Sequence, residues 1–361
     1  MLYSILYATN FTQRSSKLCN KVVKRKYRMN IPSPKVSVVI LNWNGASDTI
    51  SCLDSLKKQT HTNFDVIVID NGSTDDSVTR IEKSHPEAIL IKEKNNLGFA
   101  GGCNRGIEQA ITNSSDMICL LNNDTVVSHN FLSELVHQMN EDPNTGILGA
   151  KIMLYSDRSR LDHLGGSWNS SKAEFDLIGN RESITSFSWE KDKELDYVCG
   201  AAMLVKKAVF EKIGLLEEKF FLIWEEADFC FRANRAGFKI KSCPTAELWH
   251  KVSASFTGKA HSTYFWWRNR LLWIERNCTK KEKRTIYTTI LNKDIRHLRK
   301  INCIKSVEFF ILTKLLRKAI PKSKAEKLHK YKAALQGIKD FKNNKFGQGP
   351  NWIYKNPFIS R

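Results

Sequence analysis

Between residues 36 and 122 the sequence repeats one pattern, a short run that is apolar throughout followed by a longer amphipathic stretch. The apolar runs are VSVVIL (36–41), FDVIVID (64–70), AILIK (88–92) and MICLL (117–121). A strand with one wet face alternates apolar and polar residues, whereas these runs do not alternate, so both their faces must be covered. The intervening stretches have helical spacing: Ser47 to Lys58 puts Ile50, Leu53 and Leu56 on one side, and further helices run through Val78 and Ile81 and over Phe99 to Ile111. Strands alternating with helices in this way predict an α/β fold with a doubly wound, mostly parallel sheet.

In such sheets ligands bind beyond the carboxyl ends of the strands. Three of those ends finish in Asn or Asp: Asn42-Trp43-Asn44, then Asp70-Asn71 with Ser73, then Asn122-Asn123-Asp124. Asn and Asp suit turns wherever turns occur, but three strand ends of this kind exceed what loop chemistry needs and predict a polar ligand. The first strand–helix turn reads NWNGAS and lacks the GxGxxG of a dinucleotide fold. The glycines at 98, 101, 102 and 106 come later and carry no P-loop lysine. Both absences argue against hydride transfer and P-loop phosphate chemistry.

The second half is denser in some places than in others. GILGAKIML (146–154) reads as a strand, 155–195 as polar and irregular, CGAAMLV (199–205) as a strand and AVFEKIG as a helical turn closed by Gly214. Glu225-Glu226-Ala227-Asp228 then opens an amphipathic helix running to about Ala236, with Gly237 as its left-handed cap. Acidic residues suit a helix N-terminus through the macrodipole, which is the plain structural reason for them. KIKSCPTAELWH returns to a strand ending in Trp249-His250.

Charge is unevenly spread along the 361 residues, whose formal total is +20. Residues 1–30 hold 7 basic and no acidic side chains, 279–361 hold 22 basic and 5 acidic, and 31–278 hold 28 basic and 32 acidic. A nucleic-acid-binding core would carry its basic stripe on the folded body. Basic flanks around a near-neutral body fit contact with an anionic membrane surface, or else are simply solvated. VEFFILTKLLRKAI, with Phe309, Leu312, Leu315 and Leu316 flanked by Lys314, Arg317 and Lys318, reads as a helix that lies in the headgroup plane or packs on the body. No apolar run is long enough to span a bilayer. Residues 1–33 read as a basic disordered leader, with Met29 a candidate start and an amphipathic targeting peptide the competing reading. Nine cysteines without paired spacings predict neither a disulfide framework nor a zinc site, but free thiols in a reducing compartment.

The blocks VSVVILNWNG, VIVIDNGSTDDS, NNLGFAGGCNRGI and LLNNDT together resemble the inverting family 2 glycosyltransferases with the GT-A fold. CGAAMLVKKAVFEKIGLLEEKFFLIWEEADFCFRANRAGFKI and the following P-A-x-x-x-H are similar to their rhamnosyltransferase-like branch, which builds bacterial surface polysaccharides. The resemblance implies a GT-A catalytic domain over 34–278, with a nucleotide-sugar half at 34–125 and an acceptor half at 126–278, and a basic helical C-terminal region over 279–361. It implies transfer of a sugar, rhamnose being the branch's suggestion, from a nucleotide-diphosphate donor to a growing, lipid-linked glycan, on the cytoplasmic face of the membrane. The expected cofactor is a divalent metal, Mn²⁺ or Mg²⁺.

Residue by residue, the family's DxD falls on Asn122-Asn123-Asp124, so Asp124 is the implied metal anchor and His250 a further ligand. The family's ED falls on Glu225-Glu226, making Glu226 the implied general base, with Asp228 in reserve. Asp70 would read the nucleobase, Asn42, Trp43 and Asn44 would flank base or ribose, and Gly102 and Asn104 would let the backbone approach the nucleotide. Arg232 and Arg268 would meet phosphate or pair with local acids. Asn122 and Glu226 depart from the family's acids, which keeps two rivals open: a sugar-nucleotidyltransferase, and a non-catalytic nucleotide-sugar or glycan-binding relative. The first would want a basic glycine-rich loop where NWNGAS stands.

Overall fold

The computed structural model describes residues 33–186, 195–252, 259–317 and 321–355. The leader expected over 1–33 lies, apart from Ser33, outside them, as does Lys318. From Lys35 onward the described residues form one compact unit.

The repeat seen in the sequence becomes β1 (Val36–Asn42), α1 (Ala46–Leu56), β2 (Phe64–Asp70), α2 (Ser77–Ser84), β3 (Ile89–Lys92), α3 (Gly98–Thr112) and β4 (Met117–Asn122). β1 pairs in parallel with β2 on one side and β4 on the other, so Asn42 stands opposite Asp70 and Leu41 opposite Asn122. Side chains alternate across the sheet. Val39, Ile67 and Leu120 face Cys103, Ile107 and Ala110 of α3, while Val38, Ile40 and Leu121 face Cys52, Leu53 and Leu56 of α1. Each such aliphatic side chain contributes about 1.5–3 kcal/mol by leaving water. Gly102 and Gly106 set how closely α3 can lie: a Cβ there would enter the side chains of Leu41 and Val39.

The sheet continues through β5 (Thr125–Val127), α4 (Phe131–Glu141), β6 (Thr145–Leu154), β10 (Ala202–Lys206) and β11 (Lys239–His250). Its order is β3-β2-β1-β4-β10-β6-β11-β5, with β10 antiparallel to β4 and β6, and β5 antiparallel to β11. β10 begins later than the sequence suggests, because Cys199–Ala201 turns sharply and only Ala202 onward joins β4.

The stretch read as irregular holds β7 (Gly165–Asn169) and β8 (Glu174–Ile178), which with β9 (Tyr197–Val198) make a second, three-stranded sheet. Short strands with polar outer residues hide their alternation. The inward residues betray them: Trp168 lies 4.2 Å from Trp273, and Phe175 lies 4.7 Å from Tyr197, between ring centroids.

After α5 (Lys207–Ile213) and α6 (Glu225–Arg235), the chain runs into α7 (Ala260–Asn277), α8 (Lys280–Ile286), α9 (Asn292–Phe310) and α10 (Lys322–Lys342). α8 opens on a capping box between Thr279 and Glu282. α10 lies along α7, where Tyr264 donates to Asp340 at 2.8 Å and Gly337 leaves room for the Tyr264 carbonyl. Among the described residues no helix is long and apolar enough to cross a membrane.

Candidate active site

The ends of β1, β2 and β4 are joined by one chain of hydrogen bonds. Asn123 Nδ2 donates to Thr49 Oγ1 (3.1 Å), which donates to Asn42 Oδ1 (2.7 Å). Asn42 Nδ2 donates to Asp70 Oδ1 (2.8 Å), which also accepts from Ser73 Oγ (2.6 Å). Asp70 Oδ2 accepts the Ser73 backbone N–H at 3.0 Å. A carboxylate has about four lone-pair sites, so this buried side chain keeps accepting capacity on Oδ2. Asn44, at φ 50°, closes the turn by accepting from the Thr74 N–H at 2.8 Å. Trp43 beside it is half exposed, its indole at the rim. Thr49 was not legible as a site residue, being one turn inside a helix, yet it couples two strand ends.

Past β4, Asn122 donates its N–H to Ala201 O at 3.0 Å, so the β4 end abuts the Cys199–Ala201 turn. Asp124 Oδ1 lies 3.1 Å from His250 Nε2, and His250 Nδ1 lies 2.8 Å from Asp162 Oδ2. Burial alone would lower the His250 pKa, but hydrogen bonds to both carboxylates outweigh it and raise it to about 10. Asp162 moves the other way: burial pushes it up, and the His250 hydrogen bond with the charges of His163, His250 and Arg181 holds it below the usual range. Asp162 and His163 were missed in the sequence. Their only signal was Asp-His ahead of Gly165-Gly166 in a stretch without recognisable periodicity.

A divalent cation prefers this kind of donor set, a carboxylate oxygen and an imidazole nitrogen. Asp162 is placed as the outer partner that orients such an imidazole through its far nitrogen. Among the described residues no group of three or more His, Cys, Asp and Glu has metal-cage geometry. Asp124 and His250 alone supply one carboxylate oxygen and one imidazole nitrogen, so a cation here would need further ligands from outside these two residues.

Glu226 reaches the same region from α6. A Cβ built on Gly200 would sit 3.6 Å from its Cγ, so Glu226 packs against the same Cys199–Ala201 turn that Asn122 contacts. Its Oε2 is buried and, among the described residues, has no hydrogen-bond partner; Glu225 Oε2 is in the same condition. Burial raises the pKa of both, and for Glu225 the neighbouring Glu226 charge adds to it. His163 feels the Glu226 and Asp162 charges, but burial dominates and lowers its pKa.

Other expected site residues have different surroundings. Asp228 lies two residues beyond Glu226, about 200° around the helix, and is fully buried between α6 and α7. It accepts from Arg232 Nε and Arg276 Nε, both at 2.9 Å, and from Asn277 Nδ2 at 2.8 Å. A carboxylate held by two guanidinium groups is a clamp, not a free base. Arg232 also donates to the Ile213 and Leu215 carbonyls, each at 2.7 Å, so it meets a local acid and backbone here. Arg268 is buried against carbonyls, including Phe220 O at 2.7 Å and Gly347 O at 2.6 Å. Asn104 exchanges hydrogen bonds with the Leu216 backbone at 3.0 Å in each direction, pinning that segment. Gly102 serves the close packing of α3 on β1, its missing Cβ leaving room for Leu41. Lys251, not anticipated, lies at the β11 end, donating its N–H to Asp124 O at 2.9 Å and its Nζ to Asp48 at 2.7 Å.

Known proteins agree with this architecture. The profile described as Glycosyl transferase family 2 matches residues 37–214. A low-salt glycan biosynthesis hexosyltransferase, Agl10 of Haloferax volcanii, is 27% identical over 262 residues, covering 71% of this chain and 80% of that protein. The N-acetylglucosaminyl-diphospho-decaprenol L-rhamnosyltransferase of Mycobacterium tuberculosis strain H37Rv is 24% identical over 280 residues, covering 66% and 88%. Among solved structures, mannosyltransferase PcManGT of Pyrobaculum calidifontis, in complex with GDP-Man and Mn²⁺, superposes with a TM-score of 0.53 at 13% identity over 96% of this chain and all of that one. With the GT-A sheet, the matching profile and relatives named for glycosyl transfer, residues 37–214 form a glycosyltransferase family 2 domain.

Proposed function

We propose that the chain moves a hexosyl group, rhamnose in the first instance, from a nucleotide-diphosphate donor to a hydroxyl of a lipid-linked glycan, with inversion at the anomeric carbon. The observation that carries this reading is the buried, unpartnered Glu226 Oε2 on a side chain packed against the Cys199–Ala201 turn that Asn122 also contacts, together with the Asp124–His250 pair. In the proposed step the acceptor hydroxyl gives its proton to Glu226 as its oxygen bonds to the anomeric carbon, and the bond from that carbon to the diphosphate oxygen breaks. Burial strengthens Glu226 as a base by raising its pKa. Asp124 and His250 would hold Mn²⁺ or Mg²⁺, which when bound neutralises the departing diphosphate. Asn42, Asp70, Ser73 and Asn44 would take the nucleoside, with Trp43 at the rim. On this reading residues 34–125 bind the donor, 126–278 serve the acceptor, and 279–361 bring the site to the lipid.

The support for the last point is chemical. Ile304, Val307, Phe310, Leu315 and Leu316 are each more than half exposed along α9 and its continuation, beside Lys300, Lys314 and Arg317. Apolar side chains rimmed by cations suit an anionic headgroup layer, and such placement is peripheral rather than spanning. Two assays test the whole reading. Turnover of dTDP-rhamnose, UDP-glucose, UDP-N-acetylglucosamine and GDP-mannose should need a divalent metal and vanish in Glu226→Gln. The protein should sediment with phosphatidylglycerol vesicles, and Leu315→Asp with Leu316→Asp should release it. A wild type that binds nucleotide tightly and turns over none of these donors would make the chain a binding protein instead.

A further inference from the structure

The segment that delivers Glu226 has an unusual backbone. Phe221, Ile223 and Trp224 have φ of 63°, 72° and 78°, in the left-handed region that bulky side chains avoid. Each such residue is strained and persists only where its surroundings over-determine it. Here they do so from two sides. On one side, the Phe221 carbonyl caps α3, accepting the Phe99 N–H at 2.6 Å. Gly98, at φ 76°, is where a Cβ would collide with that carbonyl oxygen.

On the other side stand two consecutive, fully buried residues of α7. The two N–H bonds of Asn269 Nδ2 are shared among three carbonyl oxygens, Phe220 O (2.8 Å), Leu222 O (2.7 Å) and Ile223 O (2.7 Å). Arg268 Nη2 donates to Phe220 O (2.7 Å) and Lys219 O (3.2 Å). Arg268 Nε also donates to Asn269 Oδ1 at 3.0 Å, which turns the amide nitrogen toward the carbonyls. With Trp224 O taken by the Asp228 N–H, every carbonyl from 219 to 224 has a named donor. A buried carbonyl stripped of its donor is costly, so the turn has little freedom to relax while Asn269 and Arg268 stay.

We propose that Asn269 and Arg268 are positioning residues for transfer: they hold the left-handed Phe221–Trp224 turn, and through it aim the Glu226 carboxylate at the Cys199–Ala201 wall of the site. The proposal rests on the reading of Glu226 as the base. Neither residue touches the nucleotide-binding ends of β1, β2 and β4. Loss of either should therefore lower kcat and spare the donor's binding.

The test compares wild type, Asn269→Leu and Glu226→Gln as full-length proteins, with Mn²⁺ and the four nucleotide-sugars named above. For Asn269→Leu, kcat should fall by about 10²-fold, the loss a small misplacement can cause. The donor KM, and the dissociation constants for dTDP, UDP and GDP with Mn²⁺, should stay near wild type. Hydrogen exchange should quicken only at amides 219–228. Should Asn269→Leu fail to fold, Arg268→Lys carries the same test, since it keeps the charge and loses the fork. Unchanged kcat in the variant, with Glu226→Gln inactive, overturns the positioning role and leaves the base standing. A parallel fall in nucleotide affinity and kcat overturns it as well, because that is general damage. Full turnover by Glu226→Gln, or a wild type inert on every donor, removes the underlying reading and the proposal with it.

Discussion

Asp228→Asn separates a structural carboxylate from a catalytic one. The wild-type group is fully buried and accepts from Arg232, Arg276 and Asn277. The amide removes the charge and presents a donor to at least one guanidinium nitrogen. Hydrogen bonds to charged groups are worth about 1.5–3 kcal/mol each, and two are weakened. Breaking a buried pair costs about 3–5 kcal/mol. Here both arginine side chains are a fifth to a third exposed, and both keep other acceptors: Arg232 the Ile213 and Leu215 carbonyls, Arg276 the Glu217 carboxylate. The lower end applies, about 3 kcal/mol. At about 2.1 cal/mol/K of unfolding entropy per residue, a unit as long as Lys35–Arg361 loses about 1.5 °C per kcal/mol, so Tm should fall by roughly 4–5 °C. Calorimetry or dye-monitored melting reads the shift, and donor turnover at a temperature well below the transition reads the chemistry. Turnover per folded molecule should stay within about twofold, as expected for a change outside the reacting centre. An unchanged Tm with abolished turnover would refute this assignment and restore Asp228 to the reaction.

Gly106→Ala tests the close approach of α3 to β1. The new methyl would enter the Val39 side chain, and overpacking of this kind costs about 1–3 kcal/mol, visible as a lower urea midpoint with the slope unchanged. Glu225→Gln tests burial by pH. Burial raises the native pKa of Glu225 above its value in the unfolded chain, so between those two values the native state binds more protons and stability falls as pH rises. Below the unfolded value, about 4.3, there is no penalty. Glu225→Gln should accordingly raise Tm relative to wild type more at pH 8 than at pH 5, and an equal effect at both would contradict the burial account.

Much of residues 34–125 was legible because its physics is local. A strand buried on both faces must be apolar throughout, and that rule located β1, β2 and β4 to within a residue of their ends. With β1 and β2 in register, Asn42 and Asp70 had to face each other. The residues after 125 were less legible because their key contacts are distant in sequence. Asp162 reaches His250 across 88 residues, and Asn269 reaches Leu222 and Ile223 across 47 and 46, with nothing in either local pattern to announce it. β7 and β8 escaped notice because strands of five residues with exposed polar positions offer too few apolar repeats. Asp228 and Glu226 look equivalent in the sequence, two acids in a first helical turn. Local pattern does not separate them, and the position of α7, with Arg276 and Asn277 at its end, shows physically why they differ.

In the proposed reaction Asp124 and Glu226 serve one reacting centre. The most direct test is an anomalous difference map from crystals grown with Mn²⁺ and a nucleoside diphosphate. One manganese peak should lie against the Asp124 carboxylate and His250 Nε2, with the diphosphate running toward the Cys199–Ala201 turn and the Glu226 carboxylate facing its terminal phosphate across a gap that a hexose fills. A peak on other residues, or a diphosphate with Glu226 turned toward a different crevice, would contradict it.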